Sequence, residues 1–174
     1  MKKALLIIAN RDFRDEEYFI PKQILEDNGI KTKTASNEKG TAIGRFGGEA
    51  EIDLSLSEVN VNDFDAIVFV GGSGATELLD NEISYNLAKE ASKSKILAAI
   101  CIAPVILANA GVLDKRKCTV WSSDVDKSAV KIIKQKGGEY IKNGIIIDQN
   151  IITGENADFA ELFGKAILKA LTDS

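Results

Sequence analysis

The sequence predicts an open, doubly wound α/β sandwich, and three observations carry that expectation. Short continuous apolar runs, Ala4–Ala9, Ala66–Val70 and Ile96–Ile100, have the length and uniform hydrophobicity of strands buried on both faces. Segments with helical spacing separate them, the alternation that produces a parallel sheet covered on both sides. Tight turns of small residues end two of the runs, at Gly71-Gly72-Ser73-Gly74 and around Cys101. The 174 residues hold two prolines and no repeat, low-complexity tract or Pro/Ser-rich linker, so residues 1–174 read as one compact domain.

Taken in order, Ala4–Ala9 is the first buried strand. A helix follows with Ile20, Ile24 and Leu25 facing inward, and it stops at Asn28-Gly29. Ile30–Ala35 alternates polar and apolar residues and reads as a more exposed strand. The glycine-rich segment 40–56 reads as a hairpin excursion. Ala66–Val70 is the third strand, residues 83–92 a helix and Ile96–Ile100 the fourth strand. After Cys101, a helix through Val105, Ile106 and Leu107 ends at Gly111. Thr119–Trp121 is expected as a brief strand, with Ser122-Ser123-Asp124 capping an amphipathic helix over 125–136. Short strands follow at Ile145–Ile147 and Ile151–Thr153. In the last helix, Phe159, Leu162, Phe163, Ala166, Ile167, Ala170 and Leu171 share one face, with Asn156 as the cap.

Composition excludes whole classes of chemistry. There is no histidine, which removes every Ser-His-Asp or Cys-His dyad, every H-E-x-x-H zinc site and every histidine general base. A homo-oligomer cannot restore it, because each copy lacks it too. Two cysteines, Cys101 and Cys118, fall short of the about four ligands of structural zinc or an iron–sulfur cluster, so no metal or cofactor is expected. A formal charge of −4, from 22 basic and 26 acidic residues, argues against nucleic acid as a partner. Met1-Lys2-Lys3 before an apolar run superficially resembles a signal peptide. The run is too short, and no A-x-A-type cleavage site follows it. No stretch approaches the about 18 apolar residues of a membrane span, so a cytoplasmic, reduced setting with free thiols is expected.

In doubly wound sheets, ligands bind beyond the carboxyl ends of the strands near a switch in strand order. Three features sit at such ends. Cys101 lies between a buried strand and a helix, with Ala99 and Ala103 two positions to either side, the small residues that the sharp turn of a nucleophile elbow requires. Pro104 suits a first helical turn, and the helix N-terminus would lower the thiol pKa from about 8.5. The same position also suits a small buried hydrophobe, the commonest role of a free cysteine. The turn Gly71–Gly74 lacks the Gly-Lys-Ser/Thr of a Walker A loop. It reads either as a backbone N–H site for an oxyanion or as a plain strand-to-helix turn. Asp12, Asp15, Glu16 and Glu17 form an acidic cluster, from which one desolvated carboxyl would be kept protonated beside the thiol. The residues themselves do not choose which. Trp121 and Tyr18 suit either the site or the core, and Cys118 reads as packing.

These residues together resemble the ThiJ/PfpI superfamily. It is a class I glutamine-amidotransferase-like group that includes the Parkinson-associated deglycase/chaperone and archaeal intracellular proteases. The resemblance spans essentially the whole chain and rests on Ala98-Ala99-Ile100-Cys101 with Pro104, Leu107 through Ala110-Gly111-Val112-Leu113, Phe64-Asp65-Ala66 leading to Gly71-Gly72, Glu17 four residues before Pro21, and Ile151-Ile152-Thr153 before a helix. It implies a flavodoxin-like sandwich, commonly a homodimer or larger, with Cys101 as nucleophile and Glu17 as the pocket carboxyl. The backbone N–H groups of Gly72 and Ile102 would form the oxyanion site, with Gly71 and Trp121 beside the substrate. Three departures stand out. Ile102 replaces the histidine that protease-like members carry after the cysteine. Trp121 lies at or beside the histidine position of deglycase-like members. Glu155 replaces an arginine after the last strand. The expected activity is turnover of small reactive carbonyls through a Cys101 thiolate assisted by Glu17. A redox-sensing or stress role based on Cys101 oxidation is the alternative. A cysteine peptidase is third, disfavoured because an unaided thiolate would forgo acid–base help typically worth about 10²–10⁴-fold.

Overall fold

The computed structural model describes residues 1–174 and is built around a seven-stranded sheet. Its first half comprises β1 (Lys3–Ile7), β3 (Lys31–Ser36) and β6 (Leu54–Ser55), laid outward in that order. On the other side of β1 come β7 (Ala66–Phe69), β8 (Ile96–Ile100), β12 (Ile151–Gly154) and the edge strand β11 (Ile145–Asp148). All neighbours are parallel except β11, which pairs antiparallel with β12. The chain thus builds outward from β1 in both directions, and the order switches between β1 and β7. The sheet is the expected doubly wound, flavodoxin-like one.

Residues along each buried strand alternate between two cores. Leu5, Ile7, Ile67, Phe69, Leu97 and Ala99 pack on one face, beneath α3 (Glu82–Ser94), α4 (Pro104–Asn109) and α5 (Ser128–Gln135). Ala4, Leu6, Val68, Ala98 and Ile100 pack on the other, beneath α1 (Asp15–Asp27) and α6 (Ala160–Thr172). Leu5, Leu6, Ile7 and Ile8 are fully excluded from water, and each such side chain contributes about 1.5–3 kcal/mol. This two-sided burial is why the strands read as continuous apolar runs.

The excursion over 40–56 is a hairpin of β4 (Gly40–Gly44) and β5 (Glu49–Ile52), extended by β2 (Arg11–Phe13) into a small separate sheet. Strand β2 was not expected. It places the hairpin tip beyond the carboxyl end of β1.

Several expectations are corrected. The strand near 119 is β9 (Lys117–Cys118), paired with β10 (Glu139–Tyr140), and Thr119–Trp121 lies outside any ladder. Burial of Thr119 and Val120 under the main sheet makes that stretch look like a strand. Helix α5 starts at Ser128, and Asp126 rather than Ser122-Ser123-Asp124 accepts its first N–H. A short helix, α2 (Ser73–Leu78), follows the glycine turn. Ile20 and Leu162 are exposed, because α1 and α6 turn other residues toward the sheet and toward each other.

The glycine turn owes its composition to close packing as well as to conformation. A Cβ on Gly74 would lie 2.0 Å from the Arg11 carbonyl oxygen. Gly74→Ala is therefore expected to lower stability by about 1–3 kcal/mol through overpacking, read as a lower urea midpoint at unchanged slope.

Candidate active site at the strand carboxyl ends

The four acids of the cluster are sorted by their neighbours. Asp12 sits beside Arg11 (3.7 Å), and Glu16 pairs with the Arg14 guanidinium at 2.5 Å. Asp15 ties down the hairpin tip, accepting the N–H groups of Phe46 (2.9 Å) and Gly48 (2.8 Å). Only Glu17 turns into the protein, where it is 0% exposed.

Glu17 Oε2 accepts the Gly71 N–H at 2.9 Å, whereas Oε1 is buried without a nitrogen or oxygen partner. The Gly71 carbonyl in turn accepts the Arg14 N–H at 3.0 Å, so one residue locks the start of α1 to the end of β7. No side chain fits at Gly71: a Cβ there would come within 2.6 Å of Glu17 Oε2 and 2.8 Å of Cys101 Cβ.

Cys101 occupies the sharp turn between β8 and α4. Its φ of +63° is a left-handed conformation that few non-glycine residues adopt. Both sides of its backbone are fixed: its N–H donates to Gly154 O (2.9 Å) and its carbonyl accepts from Trp121 N–H (2.8 Å). Helix α4 begins only at Pro104, which leaves the Ile102 N–H free to interact with the Cys101 sulfur. The Gly72 N–H, on a residue with φ of +105°, donates to no other backbone group.

Burial dominates the electrostatics. It pushes the Glu17 carboxyl up to about 8, against the opposing pull of Cys101 and the Gly71 N–H. Burial also pushes the Cys101 thiol up, and the Glu17 charge adds to it. The Ile102 N–H and the Arg14 guanidinium only partly offset these effects. The helix-terminus expectation of a lowered thiol pKa is therefore corrected: desolvation and a neighbouring carboxyl outweigh a six-residue helix that starts three residues away. At neutral pH the pair rests with its protons on.

A cavity of about 530 Å³ opens over the pair, bounded by Cys101, Glu17, Gly72, Ile102 and Trp121 together with Arg14, Arg45, Ser73, Thr76 and Asp126. Of the expected residues, Gly71 does not border it, since its N–H is committed to Glu17. Tyr18 is core, its hydroxyl 2.7 Å from Thr34 Oγ1. Cys118 is buried in β9, and neither cysteine is in a disulfide. Arg14 and Arg45 were not anticipated, because no local signal shows that the hairpin returns to the strand ends. A larger cavity, about 750 Å³, lies at the opposite strand ends beside Lys3, Lys31 and Lys33 and holds no nucleophile. The molecule has no group of three or more Cys, Asp or Glu side chains placed to hold a metal ion.

The family model of the DJ-1/PfpI family matches residues 2–170. The chain belongs to the DJ-1/PfpI family. It is 40% identical over 171 residues to an uncharacterised protein of Methanocaldococcus jannaschii, covering 97% of this chain and 82% of that one. It is 33% identical over 155 residues to the deglycase PfpI of Pyrococcus furiosus, covering 88% of this chain and 90% of the relative. Among solved structures, a ThiJ/PfpI domain protein from Brachyspira murdochii superposes with a TM-score of 0.91 at 34% identity, over 99% of this chain and 97% of that one. No helix of this family member is long and apolar enough to cross a membrane.

The Glu17 shift has a thermodynamic consequence. A carboxyl raised from 4.5 to about 8 in the folded state contributes stability that is complete below about pH 4.5 and is lost as pH rises through about 8. Glu17→Gln has no such loss. The melting temperature of this variant, relative to the parent, is expected to climb steadily from about pH 5 to about pH 9. A pH-independent difference would count against a buried, protonated Glu17.

Proposed function

We propose that this DJ-1/PfpI protein converts small 2-oxoaldehydes to hydroxy acids through covalent catalysis at Cys101. The observation that carries the reading is the placement of Cys101 and a protonated Glu17 in one cavity, beside two backbone N–H groups with no other acceptor. Relatives named deglycases, such as the Pyrococcus furiosus protein, support an action on carbonyl chemistry.

The residues fit each step. Sulfur bonds to the aldehyde carbon, and the carbonyl π pair moves to oxygen, where the Gly72 and Ile102 N–H groups stabilise the charge. The reacting form is the pair that has lost one proton: the Glu17 carboxylate takes the thiol proton and hands it to that oxygen, giving a hemithioacetal and leaving Glu17 ionised again. Glu17 then takes the proton from the same carbon and an enediol forms. Reprotonation at the neighbouring carbon leaves a thioester on Cys101. Water cleaves it, regenerating the thiol and releasing the hydroxy acid, so methylglyoxal plus water becomes lactate with no external oxidant. No amine leaves at any step, and histidine is not needed.

The thiol's upward shift bears on the alternatives. Peroxide sensing favours thiolates of low pKa, and peptide hydrolysis needs a base and a proton donor for a departing amine. Neither is favoured by a resting protonated thiol in a chain without histidine.

Wild-type protein should turn over methylglyoxal to lactate, and Cys101→Ser should lose this at least about 10²-fold, the scale of losing an activated nucleophile. The rate kcat/KM should rise from neutral pH through about pH 8 as the pair ionises. Equal turnover by the two proteins would sink the assignment.

A further inference from the structure

The cavity over Cys101 is also bordered by two guanidinium groups that the chemistry above does not use. Arg14 precedes α1 and Arg45 lies at the hairpin tip, yet both border the same cavity as the nucleophile. They share a support: the Arg14 guanidinium carbon lies 5.0 Å from the Phe46 ring centroid and that of Arg45 lies 5.9 Å away. The backbone that carries the largely exposed Phe46 ring is fixed, because Asp15 accepts the N–H groups of Phe46 and Gly48 while Arg45 N–H donates to Phe13 O at 2.9 Å. Contact with this shared ring brings the two guanidiniums to one place before any ligand arrives.

The carboxylates nearby leave one guanidinium without an ion-pair partner. Glu16 neutralises Arg14. Asp126 borders the cavity and is ionised, but it accepts the Ser128 N–H (2.9 Å) and Ser128 Oγ–H (2.6 Å) and pairs with neither guanidinium. Glu17 is protonated at neutral pH. Arg45 has no carboxylate within ion-pair distance. An unpaired guanidinium at the mouth of a nucleophile's cavity, with a second one stacked on the same ring, suits an oxyanion of the substrate.

We propose that Arg45, assisted by Arg14, binds the anionic group of the substrate, so that the cavity prefers 2-oxoaldehydes carrying a carboxylate or phosphate over neutral ones. The inference rests on Cys101 being the nucleophile and gives the reading above a substrate class. Ser73 and Thr76, on the cavity wall at α2, add hydroxyl groups beside the same space.

Two reagents that differ in charge test the subsite without any turnover. Iodoacetate and iodoacetamide alkylate the same sulfur, so the ratio of their rates at Cys101 cancels thiol reactivity and reports only the anion preference. In the wild-type protein, this ratio is expected to exceed that of N-acetylcysteine by about fivefold, the scale of one ion pair at a partly exposed site. Arg45→Gln should return it to the N-acetylcysteine value, and Arg45→Lys should keep part of it. In parallel, the kcat/KM of hydroxypyruvaldehyde phosphate relative to methylglyoxal should fall about fivefold in Arg45→Gln. A wild-type ratio equal to that of N-acetylcysteine overturns the subsite, even where methylglyoxal is turned over. A raised ratio in a protein that turns over neither aldehyde retains the subsite and removes the carbonyl reading.

Discussion

The buried hydrogen bond from Gly71 N–H to Glu17 Oε2 is the constraint on which the rest of the site depends. A carboxyl with no exposure survives inside a protein only if it is bonded, protonated or both. Glu17 is bonded on one oxygen and protonated at neutral pH, with burial as the main cause of its shift. That single placement draws together α1, the end of β7 and the turn that carries Cys101. It also explains why position 71 must be glycine, since any side chain would collide with both members of the pair. The Gly71 carbonyl also accepts the Arg14 N–H, so the cavity's acid and one of its cations share a residue as support.

Without histidine, the pocket lacks the group that usually moves protons near neutral pH. A buried glutamate at about 8 covers part of that range: it is protonated at rest and acts as the base once the pair has lost a proton. Such a group suits reactions in which a proton is shuttled between neighbouring atoms of one small molecule. It suits poorly those that need a strong donor to a departing amine. On the proposed reading, the two guanidiniums add orientation, and Cys101, Glu17, Arg14 and Arg45 reach one cavity from three chain segments.

Much of the fold was legible because the sheet is buried on both faces. Ala4–Ala9, Ala66–Val70 and Ile96–Ile100 have no solvent side to introduce polar residues, and their ends mark where ligands bind. Cys101 was legible for a related reason, since alanines flank a turn too tight for larger neighbours. Trp121 and Ile102 fell in the cavity as the family resemblance implied. What escaped was tertiary. Asp15 and Glu17 differ in role because a distant hairpin tip captures one and the β7 turn the other; the acidic run does not record this, and the family resemblance alone pointed to Glu17. Arg45 belongs to the site only because the hairpin folds back over β2. Strand-like apolarity at Thr119–Trp121 came from burial rather than pairing, and α2 is too short to show a period. The thiol's direction of shift depended on desolvation, which local spacing does not measure.

The left-handed backbone of Cys101 has a consequence for how such a chain changes over generations. An L-residue there sits about 1–2 kcal/mol above a glycine in the same conformation. Selection for folding alone would therefore favour replacing the cysteine with glycine. A lineage that relaxed the demand for chemistry would gain robustness by discarding its nucleophile first, while the surrounding framework of Glu17, Gly71 and the hairpin stayed recognisable. On the proposed reading, the cysteine is kept at this turn for its chemistry and not for the fold.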